Sequence, residues 1–134
     1  PALWTLPVVF PLVMALGGAA GVIGLPLPGA ETGIALSGLV LGLAVAAAAK
    51  PPLWVAAVIT GLFAVFHGHA HGVELPKSAN ALAYAMGFVV STGLLHLAGI
   101  AFGMLDRWPA GRVAVRIAGG LIAVAGAGFL FGWL

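Results

Sequence analysis

Residues 53–74 read LWVAAVITGLFAVFHGHAHGVE, and this stretch decides the fold. From Leu53 to Phe66 it contains no ionisable side chain. From His67 to Glu74 it holds three of the chain's four histidines and one of its three carboxylates. The stretch from Leu53 to Gly72 has the roughly 20 residues a helix needs to cross about 30 Å of hydrocarbon. Lys50-Pro51-Pro52 breaks the chain just before it and Pro76 follows it, so a spanning helix is expected near Leu53–Gly72. At about 100° per residue, His67 and His71 lie 40° apart on that helix, Glu74 falls between them, and His69 points the opposite way.

The remainder of the chain has the same character. Of its 134 residues 63% are hydrophobic and 6% charged, and the mean hydropathy is +1.21. A soluble domain carries about 25% charged residues, so this composition cannot cover a water-facing surface. Five apolar stretches are long enough to span, near Leu3–Ile23, Thr32–Ala49, Leu53–Gly72, Ala79–Leu105 and Val113–Trp133. The expected fold is all-α, a polytopic helical bundle forming one transmembrane domain over residues 1–134. With no cysteine, disulfides, thiolate metal sites and cysteine nucleophiles are excluded. The five cations are scattered, which argues against nucleic acid, whose binding needs a basic stripe.

The connections carry their own signals. Gly24-Leu25-Pro26-Leu27-Pro28-Gly29 makes a short rigid turn. Glu31 follows it in the first turn of the second helix, where the helix dipole favours a carboxylate. Ser78 suits an N-cap for the fourth helix, and Asp106 to Arg112 forms the longest polar loop. Gly17/Gly21, Gly38/Gly42, Gly68/Gly72, Gly99/Gly103 and Gly128/Gly132 are each four apart. Such pairs make smooth strips that let helices approach closely in lipid. Lys50, Arg107, Arg112 and Arg116 fall on the side of the N-terminus and only Lys77 on the other, so the N-terminus is expected in the cytoplasm and the C-terminus outside. Trp133 suits an interfacial anchor.

An ionisable group within hydrocarbon costs a few kcal/mol even on the lenient insertion scales, so His67, His71 and Glu74 call for an explanation. Two imidazoles and a carboxylate on one face make half of a divalent-metal shell, suited to Ni²⁺, Co²⁺, Zn²⁺ or Cu²⁺ rather than to Mg²⁺ or Ca²⁺. The same groups could instead relay protons or hydrogen-bond to neighbouring helices. His69 has at most a secondary part, such as first capture of an ion at the outer face. On the fourth helix Asn80, Tyr84 and Ser91 share a polar stripe. His96 is expected roughly 15 Å deeper, either as a second station on a path through the bundle or as a packing histidine.

The segment Phe66-His67-Gly68-His69-Ala70-His71-Gly72-Val73-Glu74 resembles the F-H-G-x-A-H-G-x-E signature of the HupE/UreJ family of bacterial nickel and cobalt permeases, with His69 at the variable position. Gly24 to Glu31, Ala83 to Val89 and Leu95 to Gly99 are similar to that family as well. The resemblance implies a bacterial inner-membrane protein of about six helices after a cleaved leader, carrying Ni²⁺ or Co²⁺ for hydrogenase or urease assembly. It also implies a second motif, with histidines and an Asp-His pair, in the family's first helix. Nothing like it occurs here, and by position it is expected just upstream of Pro1.

These readings converge on a permease rather than an enzyme. Its expected ligands are His67, His71 and Glu74, with Glu31 as a fourth or outer ligand, His69 as an accessory and His96 as a later station. The expected partners are a divalent transition-metal ion and the lipid bilayer, with a second copy of the chain left open. No G-x-x-x-x-G-K-[ST] loop occurs, so the driving force is expected from an ion gradient, the membrane potential or cytoplasmic capture. The rival reading is a membrane-embedded metal hydrolase on the same His/His/Glu face, which would need Glu31 or Asp106 as its acid or base.

Overall fold

The computed structural model describes residues 2–75 and 80–134, which form helices and turns without a strand. The expectations for Pro76, Lys77 and Ser78 lie outside the described residues. Five α-helices follow in order: α1 (Ala2–Val22), α2 (Ala30–Ala46), α3 (Leu53–Glu74), α4 (Ala81–Gly103) and α5 (Pro109–Leu130), with a 3₁₀ turn at Met104–Arg107. Four of them are long and apolar enough to cross a membrane; α2, with 17 residues, is shorter. Large apolar side chains point outward along these helices, and Leu16, Leu95 and Trp133 are 72% exposed. That distribution suits a lipid solvent. The chain is all-α and multi-pass.

The ends of α1 and α2 share one device. At α1 the Leu25 amide donates to the Ala20 carbonyl and the Gly24 amide to the Gly21 carbonyl, with Gly24 at φ +81°. This is a Schellman cap, in which a left-handed residue reverses the chain and satisfies the last carbonyls. At α2 the Ala49 amide donates to Ala44 and the Ala48 amide to Val45, but the left-handed residue is Ala48, at φ +53°. That cap stops α2 at Ala46, three residues short of the expected Ala49.

Apart from the start of α3, the other boundaries shift by one to four residues as well, and three of these shifts have a visible consequence. α3 continues to Glu74, which brings the carboxylate into the helix. α4 begins at Ala81, and the Asn80 side-chain oxygen accepts the Ala83 amide at 2.9 Å. Asn80 therefore serves as the N-cap rather than as part of a stripe with Tyr84 and Ser91. α5 begins at Pro109, because a proline at the first helical position gives up an amide that would have had no intrahelical partner. The expected Asp106 to Arg112 loop is thereby reduced to the 3₁₀ turn and Trp108.

The helices gather into two compact units, Pro1–Ala30 with Pro52–Ala98 and Glu31–Pro51 with Gly99–Leu134. In the first, α1 and α3 run parallel in backbone contact. A Cβ added at Gly68 would meet the Met14 carbonyl, one at Gly72 the Gly18 carbonyl, and one at Gly17 the Val65 carbonyl. Met14, Phe63 and Ala64 are buried at this seam. In the second, α2 and α5 run antiparallel, with Gly38 against Gly126 and Gly42 against Gly119 and Ala123. Close approach in lipid depends on such small residues, because burial of apolar surface there brings no gain. The strips expected at Gly99/Gly103 and Gly128/Gly132 do not pack this way. Gly99, Gly103 and Gly132 meet nothing within 4 Å, and α5 uses Gly119, Ala123 and Gly126 instead.

Candidate metal centre

The signature histidines lie in the last two turns of α3, within the first unit. Their surroundings determine which ring nitrogen is available. A main-chain carbonyl can only accept, so the ring nitrogen facing it must carry the hydrogen. His67 Nδ1 lies 3.0 Å from the Phe63 carbonyl, and His96 Nδ1 lies 2.8 Å from the Thr92 carbonyl. Both carbonyls are one turn back in the same helix. In the neutral ring this leaves the Nε2 lone pair as the donor to a metal, directed away from the helix backbone.

His69 is held the other way. Its Nε2 donates to the Leu25 carbonyl at 2.7 Å, and the ring is buried. Leu25 is the residue whose amide closes the α1 cap, so His69 fastens the end of α1 to α3. Spacing placed it opposite His67 and His71, as found. The expected capture of ions at an outer face does not fit a ring enclosed and engaged in this way.

His71 and Glu74 form the closest pair. Nδ1 of His71 is 3.8 Å from Oε2 of Glu74, and both side chains are exposed. Tyr84 of α4 joins them: its hydroxyl donates to Glu74 Oε2 at 2.7 Å and lies 3.0 Å from His71 Nδ1. Phe88, one turn on, packs against the His71 ring with centroids 4.7 Å apart. His71, Tyr84 and Phe88 edge a mostly apolar cleft of about 380 Å³ whose walls also include Met14, Gly18 and Gly72. Sequence spacing did not reveal Tyr84 as a partner, since the bond crosses between helices.

Deeper in the same unit, Phe10 of α1 touches two histidines, with centroids 6.2 Å from His67 and 5.3 Å from His96. Two rings that flank one phenyl cannot be 15 Å apart. The expected depth of His96 is corrected because His67 itself lies more than a turn inward of Glu74, while α4 returns inward alongside it. Among the described residues no three of the histidines and carboxylates stand close enough to hold one metal ion together. His71 and Glu74 are adjacent, and His67 turns toward Phe10.

Glu31 belongs to the second unit. It sits in the first turn of α2, at a cleft of about 660 Å³ between α2 and α5 whose walls include Thr32, Gly38, Gly126 and Phe129. Asp106 pairs with Arg112 at 3.8 Å. Of the two residues that the hydrolase reading offers as its acid or base, Asp106 is thus ion-paired, and among the described residues no observation favours that reading.

The comparisons with known proteins cover nearly the whole of this arrangement. The family described as HupE / UreJ protein matches residues 1–129. Protein HupE of Rhizobium leguminosarum bv. viciae is 48% identical over 131 residues, which is 98% of this chain and 69% of that protein. No solved structure matches the chain. The match takes in the α3 signature, the capped turn after α1 and the Tyr84 and His96 segments of α4, and on that extent the chain belongs to the HupE/UreJ family.

Proposed function

We propose that this chain is an inner-membrane permease for Ni²⁺ or Co²⁺, supplying the metal to hydrogenase- or urease-type enzymes, and that it is not itself an enzyme. The observation that carries the reading is the His71/Glu74 pair at the end of α3, in a chain of this family. Neutral imidazole nitrogen and carboxylate oxygen together suit borderline divalent metals. The carboxylate also offsets the charge of an ion that has left water, which is the dominant cost inside a membrane.

In this reading the ion is bound by His71 and Glu74, with Nε2 of His67 reached by a turn of that side chain from Phe10. His96, across Phe10 from His67, receives the ion next. His69 supports the site through the α1 cap rather than by coordination. Lys50, Arg107, Arg112 and Arg116 favour the cytoplasm for the ends they occupy, giving a cytoplasmic N-terminus and a periplasmic C-terminus for this chain.

Uptake of labelled Ni²⁺ and Co²⁺ into cells expressing the native gene tests this directly. His67→Ala, His71→Ala and Glu74→Ala should each reduce uptake tenfold or more at equal protein level, consistent with the loss of a metal ligand. Uptake that is absent in the parent, or unchanged when His71 and Glu74 are replaced, would sink the permease reading.

A further inference from the structure

A neutral histidine has one N–H and one lone pair, so the partner of one nitrogen determines what the other can do. For His67 and His96 that partner is a carbonyl of their own helix. His71 is different, because its Nδ1 meets a hydroxyl, Tyr84 Oη, at 3.0 Å. A hydroxyl can donate or accept, and the choice here is made by its second contact. Tyr84 has a single hydrogen, and it goes to Glu74 Oε2 at 2.7 Å. Toward His71 the phenol oxygen can therefore only accept, and Nδ1 must carry the hydrogen.

We propose that Tyr84 is the positioning residue of the metal centre: by accepting from His71 Nδ1 and donating to Glu74 Oε2, it fixes the His71 ring with Nε2 as the nitrogen open to a divalent transition-metal ion and holds the Glu74 carboxylate beside that ring. One side chain from α4 thus orients two ligands on α3. Among the described residues neither His71 Nε2 nor Glu74 Oε1 makes a hydrogen bond. The exposure of the pair makes this restraint matter. An exposed imidazole and carboxylate rotate among several rotamers, and without Tyr84 the ion would have to order both. With Tyr84 the ordering is largely in place before the ion arrives, which strengthens binding without adding a ligand. Phe88 also packs against the His71 ring, with centroids 4.7 Å apart, and limits the same rotation. The transport consequence rests on the permease reading above; the state of the ring does not.

The test has two arms. In the first, ¹⁵N-histidine NMR of the metal-free protein in lipid nanodiscs reads the His71 tautomer, with His71→Ala to identify its signal. The parent should carry hydrogen at Nδ1, and Tyr84→Phe should redistribute it toward Nε2. Hydrogen at Nε2 in the parent overturns the proposal, and so does a tautomer unchanged by Tyr84→Phe. The parent spectrum decides alone if the variant does not accumulate. In the second arm, Tyr84→Phe should raise the Ni²⁺ concentration for half-maximal uptake about tenfold while leaving the maximal rate per folded molecule within about twofold, as loss of an orienting partner does to metal sites. An unchanged half-saturation overturns the positioning role. A parent that takes up neither Ni²⁺ nor Co²⁺ defeats the permease reading, and the NMR arm still decides whether Tyr84 sets the tautomer.

Discussion

Four histidines in this chain take three kinds of hydrogen-bond partner, and the partner separates their roles better than their position does. His67 and His96 bond within their own helices, His71 bonds to a side chain of another helix, and His69 bonds to a loop carbonyl. The last of these gives a stability prediction. His69→Ala leaves the Leu25 carbonyl without its donor, so the protein should lose about 1–3 kcal/mol in a thermal melt in detergent. Uptake per folded molecule should remain within about twofold of the parent. A variant of full stability with abolished uptake would show that His69 coordinates the ion instead. Helical spacing was enough to set His69 apart from His67 and His71. It could not reveal burial, because Leu25 is 44 residues away in sequence and only the fold brings it to the ring. The expectation sets the cap at Ser78 and Asn80 on a stripe, and so misses the Asn80 cap; an asparagine just ahead of Ala81-Leu82-Ala83 is a cap signal that outweighs a shared helical angle with Tyr84.

The helix ends show a similar division. Gly24 before Leu25-Pro26 announces the end of α1, since glycine takes up the left-handed conformation at little cost. The end of α2 carries no such mark, because Ala46-Ala47-Ala48-Ala49 would continue a helix as readily as stop one. Ala48 adopts the left-handed conformation anyway, at a cost of about 1 kcal/mol or more from its Cβ. Ala48→Gly should therefore stabilise the protein by up to about 1 kcal/mol, measured as a higher midpoint of thermal unfolding in detergent. A lower midpoint would mean that the α2 cap does not form in the membrane. The glycine strips were legible as a pattern but not as a set of contacts. Periodicity identifies a smooth helix face, whereas which face meets a neighbour depends on the rotation of the whole helix. Gly119 and Gly126 pack in α5, for example, and Gly132 instead ends the chain's last turn.

For the molecule as a whole, apolar runs and their punctuation were enough to identify five helices and a membrane environment. The division into two units was not legible, because each unit joins helices that are distant in sequence. Orientation can be checked on this chain with unusual economy, since it contains no cysteine. A single cysteine introduced as Asp106→Cys should react with a membrane-impermeant maleimide only after the inner membrane is opened. One introduced as Leu134→Cys, beyond the other end of α5, should react in intact spheroplasts. The reverse pattern would invert the proposed topology.

The ring anchors have a mechanical consequence. His67 and His96 are fastened to carbonyls of the helices that carry them, so each ring travels with its anchor however the helices move. His71 is fastened to Tyr84 on a different helix, and Glu74 shares that fastening. A slide or rotation of α4 against α3 would therefore leave two histidines undisturbed while freeing the third together with its carboxylate. Among the four histidines, His71 alone couples an ion ligand to relative motion between α3 and α4.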